Sequence, residues 1–202
     1  MRLTRAQARQ RNHDALVAAA VTEMADKGYA AARLEDIAER AELTTGAIYS
    51  IFGSKQDLLV AAVGRLADDV GAELTSVVGN ELTLVDALGA IASAYHRAAA
   101  GPAARQRLAF ELELLSLVLR DPAAGREVLG AALWRTENLL AGLLTGRRTT
   151  TGAETTAAQA RQLAPAVASL LGGLVQRATV EPGSVTEDYC VRAAVALASL
   201  VT

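Results

Sequence analysis

Apolar positions along this 202-residue chain recur at helical spacing, in stretches cut by glycine, proline and turn-forming pairs. Leu16, Val17, Ala20, Val21 and Met24 form one inward stripe that Gly28 ends. Leu34, Ile37, Ala38 and Ala41 repeat the pattern over a short segment, and a third short segment runs from Thr45 to Phe52. Ser54 is placed to cap a long helix carrying Leu58, Leu59, Ala62, Val63, Leu66, Val70 and Leu74. Further on, Gly101-Pro102, Asp121-Pro122 and Glu181-Pro182-Gly183 mark turns, residues 145–156 read as a Thr/Gly-rich loop, and helical segments lie between them. Period-two alternation is confined to short stretches. The pattern predicts an all-α protein: a three-helix unit over residues 1–53 and a larger helical domain over 54–202, joined by the helix that starts near Ser54.

Composition narrows the class. With 51% apolar and 21% charged residues and a net charge of −2, the chain is expected to fold as a soluble protein. The longest nearly pure apolar run, Leu163 to Val175, is too short to span a bilayer as a helix, and no apolar segment follows the N-terminal arginines as in a secretory signal. The single cysteine, Cys190, excludes an internal disulfide and fits a reducing, cytoplasmic setting. With only His13 and His96, and no cysteine near either, no metal site is expected, and His96 reads as a packing or surface histidine. No Gly-rich phosphate loop, GxSxG or HExxH motif is present, so neither catalytic residues nor a cofactor are expected.

Charge is more informative when divided. Residues 1–55 hold eight basic and seven acidic side chains, against twelve and fifteen in the remainder. Arg2, Arg5, Arg9 and Arg11 crowd the start, as a frayed terminus or as an arm drawn to a polyanion. The two short segments Leu34–Ala41 and Thr45–Phe52, separated by a tight turn, describe a helix-turn-helix, whose second helix enters the major groove of duplex DNA. Seven aromatic residues in the whole chain are too few for the stacking platforms that single strands require.

The stretch Ala18 to Leu59 carries Lys27-Gly28-Tyr29, Leu34-Glu35-Asp36-Ile37-Ala38 and the run from Gly46 to Lys55. It resembles the N-terminal domain of the tetracycline-repressor (TetR/AcrR) family over roughly the first 60 residues. The resemblance implies that Thr44 and Thr45 open the recognition helix and that Gly46 lets the backbone approach a base. It also implies phosphate contacts for Tyr49 and Lys55. Phe52, at helical spacing from Ile48, reads as core. Three positions depart from the pattern. Arg33 stands where a capping Thr or Ser is usual, and it can reach phosphate or guanine instead. Glu42 replaces the glycine of the turn, and Ile51 replaces a polar residue. Ser50 completes the candidate DNA-binding set as a weaker member.

In the larger domain, a helical wheel for Pro102–Arg120 puts Glu111 inside the apolar arc and Glu113 opposite it. A buried carboxylate there is either a structural ion pair or a polar anchor in a ligand cavity. Tyr95 falls on the inner face of its segment, Thr136 among apolar neighbours, and Trp134 off its helix's main stripe. These four are the candidate ligand-binding residues. Near the end, Leu163, Val167, Leu170, Leu171, Leu174 and Ala178 make one apolar face and Tyr189, Ala193, Leu197 and Leu200 another, with Gly172 and Gly173 open to a neighbouring helix. The resemblance implies that these last helices pair with their copies in a homodimer, the alternative being an internal core. Pro165 either starts the first of them or kinks it. The expected function is a dimeric, ligand-responsive DNA-binding regulator, most simply a repressor on a palindromic operator. A helical interaction protein, or a helical-bundle enzyme with a vestigial DNA motif, is the alternative.

Overall fold

The computed structural model describes residues 4–201. Among these residues nine α-helices follow one another: α1 (Arg5–Lys27), α2 (Leu34–Arg40), α3 (Thr45–Phe52), α4 (Lys55–Val77), α5 (Leu84–Ala100), α6 (Ala104–Arg120), α7 (Pro122–Leu144), α8 (Ala157–Val180) and α9 (Glu187–Ala196). A 3-10 turn, Leu197–Leu200, follows α9. Among the described residues there is no strand, only an isolated antiparallel bridge between Arg148 and Glu154. The all-α expectation holds.

Hydroxyl side chains start most of these helices. Thr4, Thr44, Thr83, Thr156 and Thr186 each accept a hydrogen bond from the backbone N–H three residues on, and Ser54 does so from Asp57 at 3.0 Å. Each relieves one of the unpaired N–H groups of a first turn. Thr4 with Gln7 and Thr156 with Gln159 form complete capping boxes. Two starts therefore lie upstream of the hydrophobic pattern. α1 begins at Arg5, so Arg5, Arg9 and Arg11 are exposed positions on a capped helix and not a free arm, while Arg2 lies outside the described residues. α8 begins at Ala157, so Pro165 neither starts it nor ends it but stands, exposed, inside it.

Packing divides the chain into two compact units at other places than residue 53. The first contains residues up to Leu66 together with Gln106–Ala132; the second contains Ala67–Arg105 and Leu133 onward. The reason lies in the first core. Phe110, Leu114, Leu117 and Val128 are buried with Leu16, Met24, Ile37, Ile48, Leu58 and Leu59. Each large aliphatic or aromatic side chain buried there contributes about 1.5–3 kcal/mol.

The second core joins Leu84, Leu88 and Ile91 of α5 to Leu140 and Leu144 of α7, Leu163, Val167 and Leu171 of α8, and Cys190 and Ala194 of α9. Arg147, 6% exposed, ties its loops together without a carboxylate. Its guanidinium donates to the carbonyl of Leu143 at 2.7 Å, near the end of α7, and to those of Gly79 and Leu82, beyond the end of α4. α8, at 24 residues, is the one described helix long and apolar enough to cross a membrane by length and composition. The thirteen-residue run understated it. Its Leu163, Val167 and Leu171 are fully buried in the unit's own core.

Candidate nucleic-acid interface

The turn between α2 and α3 explains how two short helices hold a fixed angle. The N–H of Glu42 donates to the Glu39 carbonyl at 3.0 Å and that of Leu43 to the Ala38 carbonyl at 2.9 Å. This is the Schellman pattern of bonds closing a helix end, with Glu42 at the position that glycine usually takes. Glu42 has φ +55°, the left-handed conformation that makes glycine usual at such a turn. Leu43 then packs on the core, and Thr44 caps α3 through Ala47 at 3.3 Å. At the other end of α2, Arg33 has the extended backbone of an N-cap but makes no side-chain cap bond; Glu35 and Asp36 in the first turn complement the helix dipole.

α3 is two-faced. Ile48 is fully buried, and Ala47, Ile51 and Phe52 pack against the same core. The Phe52 ring also lies 4.9 Å from that of His13. Thr44, Gly46, Tyr49 and Ser50 are exposed, with Tyr49 at 56%, and Thr45 is half-buried. A Cβ on Gly46 would meet only the Thr44 hydroxyl, at 3.7 Å, so the backbone there is open to a ligand. Five of the seven candidate DNA-binding residues thus lie on one turn and helix with no charged side chain between Leu43 and Ser54. Arg33, exposed at the start of α2, has Glu35 as an ion-pair neighbour at 3.7 Å.

Lys55 opens α4 next to the Ser54 cap. Its ammonium sits 4.7 Å over the Tyr29 ring and donates to the Ala30 carbonyl at 3.4 Å. Burial pulls the Lys55 pKa below the ordinary lysine value, and the charge of Glu113 opposes that shift. Burial also pushes the Tyr29 phenol up, with Asp121 adding to it. The upward shift keeps the Tyr29 phenol neutral near pH 7.

Between α1 and α2 lies an ion cluster that sequence reasoning missed. Glu23, 3% exposed, meets Lys27 at 2.7 Å and Arg40 at 2.6 Å; Lys27 also meets Asp36 at 2.9 Å. Hydrogen bonds from Lys27 and then Arg40 hold the Glu23 carboxyl below the usual carboxylate range despite its burial. The cluster ties α1 to α2. Its signal was present: an acid inside the Leu16–Met24 stripe with a lysine four residues on.

The candidate ligand-binding residues are not gathered in this way. On α6 the large buried side chains are Phe110, Leu114 and Leu117, which turns Glu111 outward: it is exposed, beside exposed Leu112 and Leu115. The wheel misplaced it because apolar residues cover nearly all of α6. Glu113 is the part-buried acid instead, held by Arg120 at 2.9 Å, and a Cβ on Gly28 would sit 3.1 Å from its carboxylate. Gly28 also has φ +82°, so both its conformation and its lack of a side chain are used. Tyr95 and Thr136 are half-buried and Trp134 is 69% exposed, all in the second unit, whereas Glu111 belongs to the first. Among the described residues no group of acids, histidines or cysteines has the makings of a metal site. His96 packs, with Nε2 3.2 Å from the Val185 carbonyl.

The two terminal apolar faces divide. Leu163, Val167 and Leu171 are core, and Leu170, Leu174, Ala178, Ala193 and Leu197 are partly covered. Tyr189 and Leu200 remain more than half exposed, as does Val180. Cβ atoms built on Gly172 and Gly173 meet nothing within 4 Å.

Comparison with known proteins agrees with this geometry. Residues 16–62 match the model of bacterial regulatory proteins of the tetR family. No curated protein matches at a significant level. Among solved structures, a protein from Rhodococcus sp. assigned to the TetR-family transcriptional regulators aligns over 95% of this chain and 98% of its own, at 18% identity and TM-score 0.71. The multidrug binding protein EbrR complexed with imidazole aligns over 97% of both chains, at 21% identity and TM-score 0.65. The regulator FadR from Bacillus subtilis, in complex with stearoyl-CoA, aligns over 93% of this chain and 96% of its own, at 18% identity and TM-score 0.64. Residues 16–62 thus match the tetR-family model on the helix-turn-helix, and the described chain has a TetR-like fold.

Proposed function

We propose that this chain is a cytoplasmic, homodimeric repressor that binds a two-fold DNA site through α3 and leaves it when a small, mainly apolar molecule binds. The observation that carries the DNA-binding part is the solvent face of α3: hydroxyls, a phenol and a bare glycine backbone over a locked turn. Tyr49, Lys55 and Arg33 position the protein on phosphates, while Thr44, Thr45, Gly46 and, more weakly, Ser50 meet the groove. One short helix reads too few base pairs for genomic specificity. A two-fold dimer places two copies about 34–36 Å apart, on successive turns of the major groove.

Support for the dimer comes from Gly172 and Gly173. Each glycine inside a helix costs about 1 kcal/mol relative to alanine. Nothing among the described residues uses the space beside these two, so a helix of a second copy is the natural occupant, and the exposed Val180, Tyr189 and Leu200 on the same terminal segments offer it further apolar surface. Effector response draws its support from the solved neighbours, one complexed with imidazole and one with stearoyl-CoA. Tyr95, Thr136 and Trp134 remain candidate contacts for an effector; Glu111, exposed on the first unit, is the weakest of the four. α4 contributes residues to both units, so an effector that favours a different subunit arrangement can change the spacing of the two recognition helices.

The test is selection of duplexes from a random pool, followed by a salt titration. Enrichment of a palindrome, bound with a steep loss of affinity as salt rises, supports the reading. Failure to enrich any sequence rejects it.

A further inference from the structure

Within the second unit, the ends of α5 and α8, the turn at residues 101–103 and the first turn of α9 enclose a cleft of about 710 Å³. That volume is in the range that holds small organic ligands. None of Tyr95, Thr136 or Trp134 lines it. Its walls are largely apolar, with Ala99, Ala178, Pro182 and Val185 among them. His96 fixes one wall: a carbonyl only accepts, so Nε2–H donates to Val185 and ties α5 to the loop before α9.

Two polar groups in this cleft have no task in the fold. Thr179 lines it and is 6% exposed, yet its hydroxyl has no hydrogen-bond partner. A helical threonine normally has the carbonyl four residues back within reach, here that of Val175, and a buried hydroxyl left unpaired is rare and unfavourable. Arg105 stands at the cleft on the first turn of α6, exposed, and has no hydrogen-bond or ion-pair partner among the described residues. Glu187, exposed on the first turn of α9, also lines the cleft and sets it against multiply charged anions.

We propose that this cleft binds a small monocarboxylate whose apolar body carries a second hydrogen-bonding group. Arg105 takes the carboxylate, the alanine, proline and valine walls take the body, and the Thr179 hydroxyl pairs with the second polar group. Phosphorylated ligands are disfavoured by Glu187. The site is independent of DNA binding, so its failure leaves the helix-turn-helix reading standing.

Calorimetric titration of the full chain with 3-(4-hydroxyphenyl)propionate, 3-phenylpropionate and 3-phenylpropanol tests it. The account expects both acids to bind, the hydroxylated one more tightly, and the alcohol least. Arg105→Ala, at an exposed position, should weaken both acids about fivefold and leave the alcohol unchanged. Thr179→Val should remove the advantage of the phenolic hydroxyl while leaving the Tm of the free chain the same or higher, a result that a structural role for the hydroxyl would not give. No binding by either acid at millimolar concentration overturns the proposal, as does equal binding of acid and alcohol, or binding that neither substitution changes.

Discussion

Glu42 offers a quantitative test of the helix-turn-helix geometry. A residue with a Cβ in the left-handed region is disfavoured by about 1 kcal/mol, because Cβ crowds the neighbouring carbonyl. Glu42 has φ +55°, is exposed, and contributes only its backbone N–H, to Glu39. Glu42→Gly therefore removes the strain and no side-chain contact of consequence. Glu42→Ala keeps the Cβ and removes the charge, which separates the two effects. Because the chain has two units, a single global unfolding midpoint does not isolate this turn. Amide hydrogen exchange does: protection of Ile37, Ala38 and Ile48 should rise about fivefold in the glycine variant, the equivalent of 1 kcal/mol, and stay near the parent value in the alanine variant. Equal protection in parent and glycine variant, or a rise in the alanine variant matching that of glycine, would refute the backbone argument.

Other outcomes follow from the same residues. Lys55→Ala should weaken binding to all duplexes alike and lower the salt slope by about one, whereas Thr45→Ala should change the order of preference among operator variants; both are read by fluorescence anisotropy. Glu23→Gln should destabilise the first unit by about 2 kcal/mol, since Lys27 and Arg40 lose their shared buried partner. The folded-state pKa of Glu23 is lowered, so its contribution is present above its unfolded value and disappears as pH falls through the folded one. The stability of the first unit, read from urea dependence of the exchange of its core amides, should accordingly fall less steeply on acidification in the Gln variant than in the parent. Gly173→Ala should raise the stability of the isolated chain by up to about 1 kcal/mol, a gain that thermal denaturation at low protein concentration checks.

The sequence was most legible where periodicity, caps and breakers agreed. Gly28 and Ser54 end and begin helices where the pattern placed them, and the turn at Glu42 was readable only through the resemblance, which puts a glycine there. Five of the seven candidate DNA-binding residues share α3 and its turn because Ile48, with Ala47, Ile51 and Phe52, turns the other side of so short a helix to the core. The misreadings arose where apolar residues surround a helix. On α6, Leu108, Leu112, Leu115 and Leu119 outweighed the true inward row of Phe110, Leu114 and Leu117, so Glu111 and Glu113 exchanged places. On α8, Leu163, Val167 and Leu171 serve the chain's own core, which no single-chain periodicity separates from a face kept for a partner. Thr179 and Arg105 were invisible because a cleft between helix ends leaves no period in the sequence.

Two copies acting together form the center of this account, and one variant tests it most directly. Gly173→Arg places a long charged side chain where the described chain has open space, so the monomer should fold as before. Sedimentation and operator binding are then measured on the same sample. The account predicts a monomer that has lost specific affinity for the palindrome, while retaining weak, salt-sensitive binding to any duplex. A monomer that binds the palindrome with the parent's affinity would contradict it.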